Sequence, residues 1–177
     1  LKDDDSRLVE AAVSGDSEAF GMLYERYANH VFTYLYYRLG DRSTAEDLSS
    51  EVFLRAWQKI REYRHRGLPF VAWLYRIAHN LLIDHRRRET RRPTVSLGLG
   101  PEIPDGQDGP SSISDALRRA DLHTAIAALS DDQQQVIVLR FILGMSADEV
   151  ARVMGRSKGA VEALQHRALK NLRRLIL

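Results

Sequence analysis

Cysteine is absent from this chain of 177 residues. That excludes disulfides, thiolate catalysis and cysteine-ligated zinc, and it suits a reducing compartment. Long apolar runs are missing too. The longest candidate, "VIVLRFILGM", is broken by Arg140 and is too short to span a bilayer. No signal peptide is visible, so the expectation is a cytoplasmic protein without membrane insertion. The chain opens on Leu1 rather than Met, which implies that native residues precede it. Catalytic signatures are lacking as well. The histidines (His30, His65, His79, His85, His123, His166) show no metal-ligand spacing. There is no glycine-rich phosphate loop and no serine in a nucleophile elbow. The sequence therefore predicts no enzyme, no metal and no cofactor.

What is present is charge in blocks. The net charge of +2 conceals −4 over residues 1–60, +6 over 61–95, −5 over 96–133 and +5 over 134–177. Two basic blocks with an acidic block between them imply two contacts with a polyanion. Charge blocks are often no more than solvated helix faces. Here both basic blocks coincide with other signals.

Residues 93–112 hold four of the five prolines, four glycines and no basic residue. No periodicity survives there, so the stretch reads as a linker. The expected fold is all-α: two small helical domains, residues 1–92 and 115–177, joined by a flexible acidic linker, residues 93–114. In the first domain, Phe20, Leu23, Tyr24, Tyr27, Val31, Tyr34 and Leu35 recur at helical spacing until Gly40 and Asp41 stop the helix. Ser43 to Glu46 reads as a capping box that starts a second helix running to about Ile60. Gly67 and Pro69 bound a loop, and a third helix runs from Phe70 to Arg88 or beyond. In the second domain, Ser130–Gln133 and Ser146–Glu149 also read as capping boxes, and Gly144 and Gly155 sit past helix ends. Helices are expected near 115–129, 133–143, 147–154 and 158–175.

From Ala147 to Leu164 the pattern is a helix-turn-helix. Ala151 is small where two helices cross, Gly155 sits in the turn, and Val150, Met154, Val161 and Leu164 fill the interior. The stripe continues through Ala168, Leu172 and Leu175. The other faces carry Arg156, Ser157, Lys158, Glu162, Gln165, His166, Arg167 and Lys170, the side chains of a recognition helix that reaches base edges and phosphates. The bland reading is a helical hairpin that merely packs.

The other basic block, "RGLPFVAWLYRIAHNLLIDHRRRETRR", mixes aromatics with arginine. Phe70, Trp73, Leu74, Ile77, Leu81 and Leu82 follow helical spacing as partial core. Arg76, His79, Asn80, Asp84, Arg86, Arg87, Arg88, Arg91 and Arg92 lie mostly elsewhere. Arginines track phosphates, and aromatics or amides receive unstacked bases. Taken alone, Trp73 and Tyr75 read better as core. A basic helix end is also what the helix dipole favours, but five arginines exceed that need.

The words "AEDLSSEVFLRAWQKI", "FVAWLYRIAHNLLIDHRRR" and "LSDDQQQVIVLRFILGMSADEVARVMGRSKGAVEALQHRALKNL", in this order, resemble bacterial RNA polymerase sigma factors of the extracytoplasmic-function class. The resemblance implies a transcription initiation factor that recognises −10 and −35 promoter elements and helps to melt the former. It implies that Asp47, Leu48, Glu51, Arg55 and Trp57 dock on the clamp helices of the polymerase largest subunit. Arg64, His65, Arg66, Trp73, Tyr75, Arg76, His79, Asn80, Asp84, Arg86, Arg87 and Arg88 would meet the −10 element, with Asn80 at a base-capture position. The segment from Arg156 to Lys170 would read the −35 element. Implied partners are core polymerase, including the flap of its second-largest subunit, promoter DNA and an anti-sigma factor. Ser50 departs from the glutamine usual there. Two other readings fit parts of the chain: a stand-alone helix-turn-helix regulator with residues 1–92 as sensor, and a helical scaffold without nucleic acid.

Overall fold

A computed structural model describes residues 2–65, 68–91 and 121–176, and every regular element among them is helical. The elements are α1 (Lys2–Val13), α2 (Ser17–Leu39), α3 (Arg42–Lys59) with a 3₁₀ turn (Ile60–Glu62), and α4 (Phe70–Arg91). After the linker come α5 (121–127), α6 (Asp131–Ile137) continuing into a π turn (Val138–Ile142), α7 (Ala147–Met154) and α8 (Lys158–Ile176). Of the helix expected near 115–129, the part over 121–127 is α5, while residues 115–120 and the linker lie outside the described residues.

Helix ends follow local chemistry. The Asp16 carboxylate accepts from the backbone N–H groups of Glu18 and Ala19 at 2.9 and 3.1 Å and starts α2. Gly40 ends it at φ +80°, its N–H donating to Tyr36 O at 2.9 Å. The predicted Ser43–Glu46 box is not used. Asp41 caps α3 instead, its carboxylate accepting from Thr44 N–H at 2.7 Å, because a carboxylate one residue past the glycine stop reaches the first free donors sooner. The Ser130 box fails too. Ser130 holds the cap position without a side-chain bond, and Gln133 instead accepts from Asn171 at 3.2 Å. The Ser146–Glu149 box forms in both directions. Helix α1 was not anticipated, because "KDDDSRLVEAAV" has few apolar residues; among its described side chains only Val9 and Ala12 are buried.

Helices α1 to α4 pack as one bundle and α6 to α8 as another. Tyr34, Leu35, Leu23, Val31, Val52, Leu74, Tyr75, Leu81 and Leu82 fill the first core. Ile126, Val136, Leu139, Val150, Val161, Leu164, Ala168 and Leu172 fill the second. Each fully buried leucine is worth roughly 1.5–3 kcal/mol of transfer free energy. The π turn, closed by Leu143 N–H donating to Val138 O at 3.0 Å, inserts one extra residue into the end of α6. Phe141 in that turn is exposed.

The bundles meet along a seam where α4 packs on α7 and α2 on the π turn. Arg38 of α2 is 3% exposed; it donates to Tyr34 Oη at 2.7 Å and to Asp131 Oδ1. Arg86 of α4 donates to the same Asp131 oxygen, to Arg38 O at 2.7 Å and to Gln134 Oε1 at 3.1 Å. Gln134 is itself fixed by donating to Ala127 O and Leu129 O. Arg76 donates to the carbonyls of Arg152 and Val153 at the end of α7. His123 Nε2 sits 3.1 Å from Tyr36 O.

Candidate nucleic-acid interface

Helix α8 presents its polar residues as the periodicity predicts. Val161, Leu164, Ala168 and Leu172 are buried, while Lys158, Glu162, His166 and Lys170, at steps of four, are exposed with Ser157 and Arg167. Such a face offers carboxylate, imidazole and ammonium groups along one line, the complement of base edges flanked by phosphates. Gly155 makes the turn possible at φ +64°, in the left-handed region where a side chain is strained. Not every predicted reader is free. Lys158 pairs with Asp148 at 3.0 Å and Arg156 with Asp132. Gln165 is half-buried, its Oε1 accepting from Arg140 Nε at 3.0 Å. Leu175, expected in the stripe, is exposed.

Helix α4 divides its predicted readers into three groups. Asn80, Asp84, Arg87 and Arg88 are exposed. Trp73 and Arg76 line a cleft of about 280 Å³ with Lys59, Glu62, Tyr63, Arg64 and Leu68; the Trp73 ring packs on Tyr63 at 4.9 Å and on Phe70 at 5.6 Å. A concave site with an indole wall and cationic rims suits an unstacked base. Arg64 and His65 are exposed, and Arg66 lies outside the described residues.

The third group turns inward. Tyr75 is 1% exposed and packs on Tyr34 at 5.3 Å. It is core rather than a base contact, because it falls on the same buried stripe as Leu74, Ala78 and Leu82. His79 is half-buried, its Nδ1 3.5 Å from Tyr34 Oη; burial and the Arg38 charge push its pKa below the usual histidine value. Arg86 joins the seam. Burial and the Arg38 charge lower its pKa. For Asp131 burial acts upward, but the charge and hydrogen bond of Arg38, with Arg86, outweigh it and hold the carboxyl below its ordinary value.

Helix α3 carries the third surface. Asp47 and Trp57 are exposed, and Glu51 pairs with Arg55 at 2.8 Å, an i,i+4 pair worth about 0.3–0.5 kcal/mol. Leu48 belongs to the core with Ala45, Val52 and Ala56, so it supports folding rather than docking. Sequence reasoning missed the apolar part of this surface. Leu54 is exposed, as is Tyr24, which was expected inside and instead lies edge-on to Phe53 at 4.8 Å. The Phe20 ring packs on Trp57 at 5.0 Å. Leu54 was findable, since it falls off the buried stripe of α3. Arg38 was missed altogether, although an arginine four residues after Tyr34 on an apolar stripe needed a partner.

Residues 23–92 match the model of "Sigma-70 region 2" and residues 119–172 that of "Sigma-70, region 4". The ECF RNA polymerase sigma factor ShbA of Streptomyces griseus is 34% identical, over 99% of this chain and 98% of its own length. This chain belongs to the ECF RNA polymerase sigma factors. Members of that family are transcription initiation factors, and the stand-alone regulator is not favoured. The ECF sigma factor BldN of Streptomyces coelicolor is 42% identical over 96% of this chain, which spans 64% of BldN. The solved complex of CnrH with the cytosolic domain of CnrY matches with a TM-score of 0.72 at 28% identity, covering 98% of this sigma factor and 97% of the solved chain. The two matched regions correspond to the two bundles. No metal-binding cluster occurs among the described residues, and no helix there is long and apolar enough to cross a membrane.

Proposed function

We propose that this sigma factor joins core RNA polymerase through the outer face of α3, with Asp47, Glu51, Arg55 and Trp57 on the clamp helices and the C-terminal bundle on the flap. The cleft of Trp73 and Arg76, with Asn80, Arg87 and Arg88, receives the melted −10 strand. The exposed face of α8 reads the −35 element in the major groove. One observation carries this reading: a single chain bears two exposed cationic helix faces, on α4 and α8, and on α3 an acidic and apolar face suited to protein. Linker reach supports it. Twenty extended residues span at most about 66 Å, against roughly 50 Å between elements one and a half duplex turns apart.

The factor contributes positioning and strand capture and no bond chemistry of its own. An anti-sigma protein that covers the α3 face, as a second chain accompanies CnrH, fits the exposed Tyr24, Leu54 and Trp57. These partners place its work in the cytoplasm. Run-off transcription with core polymerase tests the reading. Discrete start sites are expected; initiation as scattered as with core alone would overturn it.

A further inference from the structure

The seam holds a charge arrangement that packing alone does not require. Arg38 is enclosed, with its Nε buried and without a hydrogen-bond partner. Arg86 approaches from another helix, and both guanidiniums meet on one carboxylate oxygen, Asp131 Oδ1. Two like charges at that separation repel unless an anion lies between them. Together they make an anion site, in which the C-terminal bundle supplies the anion.

The surroundings identify the anion it suits when the bundles part. A groove of about 440 Å³ beside the site is lined by Ile83, Arg86, Arg87, Thr90, Arg91 and Asp131. Among the described residues Asp131 is its one acid, and three arginines on α4 line the groove with that carboxylate at its edge. At the other end of the seam, Arg76 donates to the carbonyls of Arg152 and Val153 in the last turn of α7, the negative pole of that helix. At both places the C-terminal bundle sets acceptor oxygens against α4 guanidiniums. Guanidinium binds carboxylate and phosphate with the same fork geometry.

We propose that Arg38 and Arg86 form a phosphate-binding site for the backbone of promoter DNA, and that Asp131 fills it as an internal competitor whenever the two bundles are packed together. The proposal rests on the promoter-binding reading above. The packed chain then offers this site to DNA only through its separated fraction, and the affinity the site contributes falls by that fraction. Neutralising Asp131 removes the competitor and leaves the site.

The test uses the full chain. Because it has no cysteine, cysteines placed at the exposed Glu25 and Arg173 take a donor and an acceptor dye that report bundle separation. The ligand is a labelled oligothymidylate of about twenty nucleotides, since phosphate contacts do not depend on sequence. Expected for Asp131→Asn are lower energy transfer, unchanged helicity and oligonucleotide affinity raised about tenfold. Adding oligonucleotide should lower transfer in the wild type. Arg38→Gln and Arg86→Gln should weaken binding. Should Arg38→Gln lose helicity, the exchange Arg86→Asp with Asp131→Arg decides: transfer returns and tight binding does not. Lower transfer in Asp131→Asn with unchanged affinity would make Asp131 a mere fastener and overturn the proposal. Unchanged transfer would overturn it equally. Run-off transcription separates the two readings. Discrete wild-type starts with no Asp131→Asn effect on binding sink only the competitor, whereas scattered starts sink the promoter reading.

Discussion

At Gly40 the backbone is left-handed, and a Cβ there would meet His123 Cε1 at 2.7 Å. Gly40→Ala therefore strains the end of α2 and also pushes on a residue of the other bundle. We expect a loss of about 1–2 kcal/mol, read as a lower urea midpoint with an unchanged slope. His79 supplies a pH dependence. Burial holds its folded pKa below the unfolded value of about 6.5, so the unfolded chain takes the proton first. Its contribution is complete above that value and is lost as pH falls through the depressed folded pKa. The groups that act on it are Tyr34, Arg38, Arg86, Asp131 and Asp132. His79→Gln should flatten stability between pH 6.5 and its folded value; an equally steep decline would assign the effect elsewhere. Asp131, held low in the folded chain, gives way only in stronger acid, below about pH 3.9.

Among the elements, α3 separates folding from docking. Leu48→Ala empties a core position and should cost about 2–5 kcal/mol, with polymerase binding lost only in proportion to unfolded chain. Asp47→Ala with Glu51→Ala should keep helicity and melting temperature yet weaken capture by core polymerase in a pull-down; unchanged capture would return both to solvated surface. The same helix shows what was legible. Its existence and its extent to about Ile60 were legible, but its buried stripe of Ala45, Leu48, Val52, Phe53 and Ala56 was not read, and Leu48 was assigned to docking. Its cap was misread, because Asp41 and Ser43 are both good caps and only chain direction after Gly40 chooses between them. Helix α8 was legible down to the glycine of the turn before it. Tyr75 was not, because an aromatic beside arginines reads alike whether it faces a base or the core. Arg38 and Asp131 lie too far apart in sequence for any local pattern to join them.

For the whole molecule, the seam joins the two bundles through charge. It encloses Arg38, pairs both Arg38 and Arg86 with Asp131, and ties Arg76 to α7. Removing one partner of such a buried group leaves a desolvated charge that costs several kcal/mol. Calorimetry at neutral pH should show one transition for the wild type. Asp131→Asn should show two, or one markedly broadened, as each bundle melts by itself. A single sharp transition in the variant would mean that apolar contact, rather than the ion cluster, couples the bundles. The seam also sets heat resistance against output. On the competitor proposal, the contacts that hold the bundles together are those promoter DNA displaces. Selecting variants for survival at high temperature will enrich tighter seams and return weak activators. Selecting for strong transcription will return chains that proteases cut easily. Asp131 marks the compromise between the two demands.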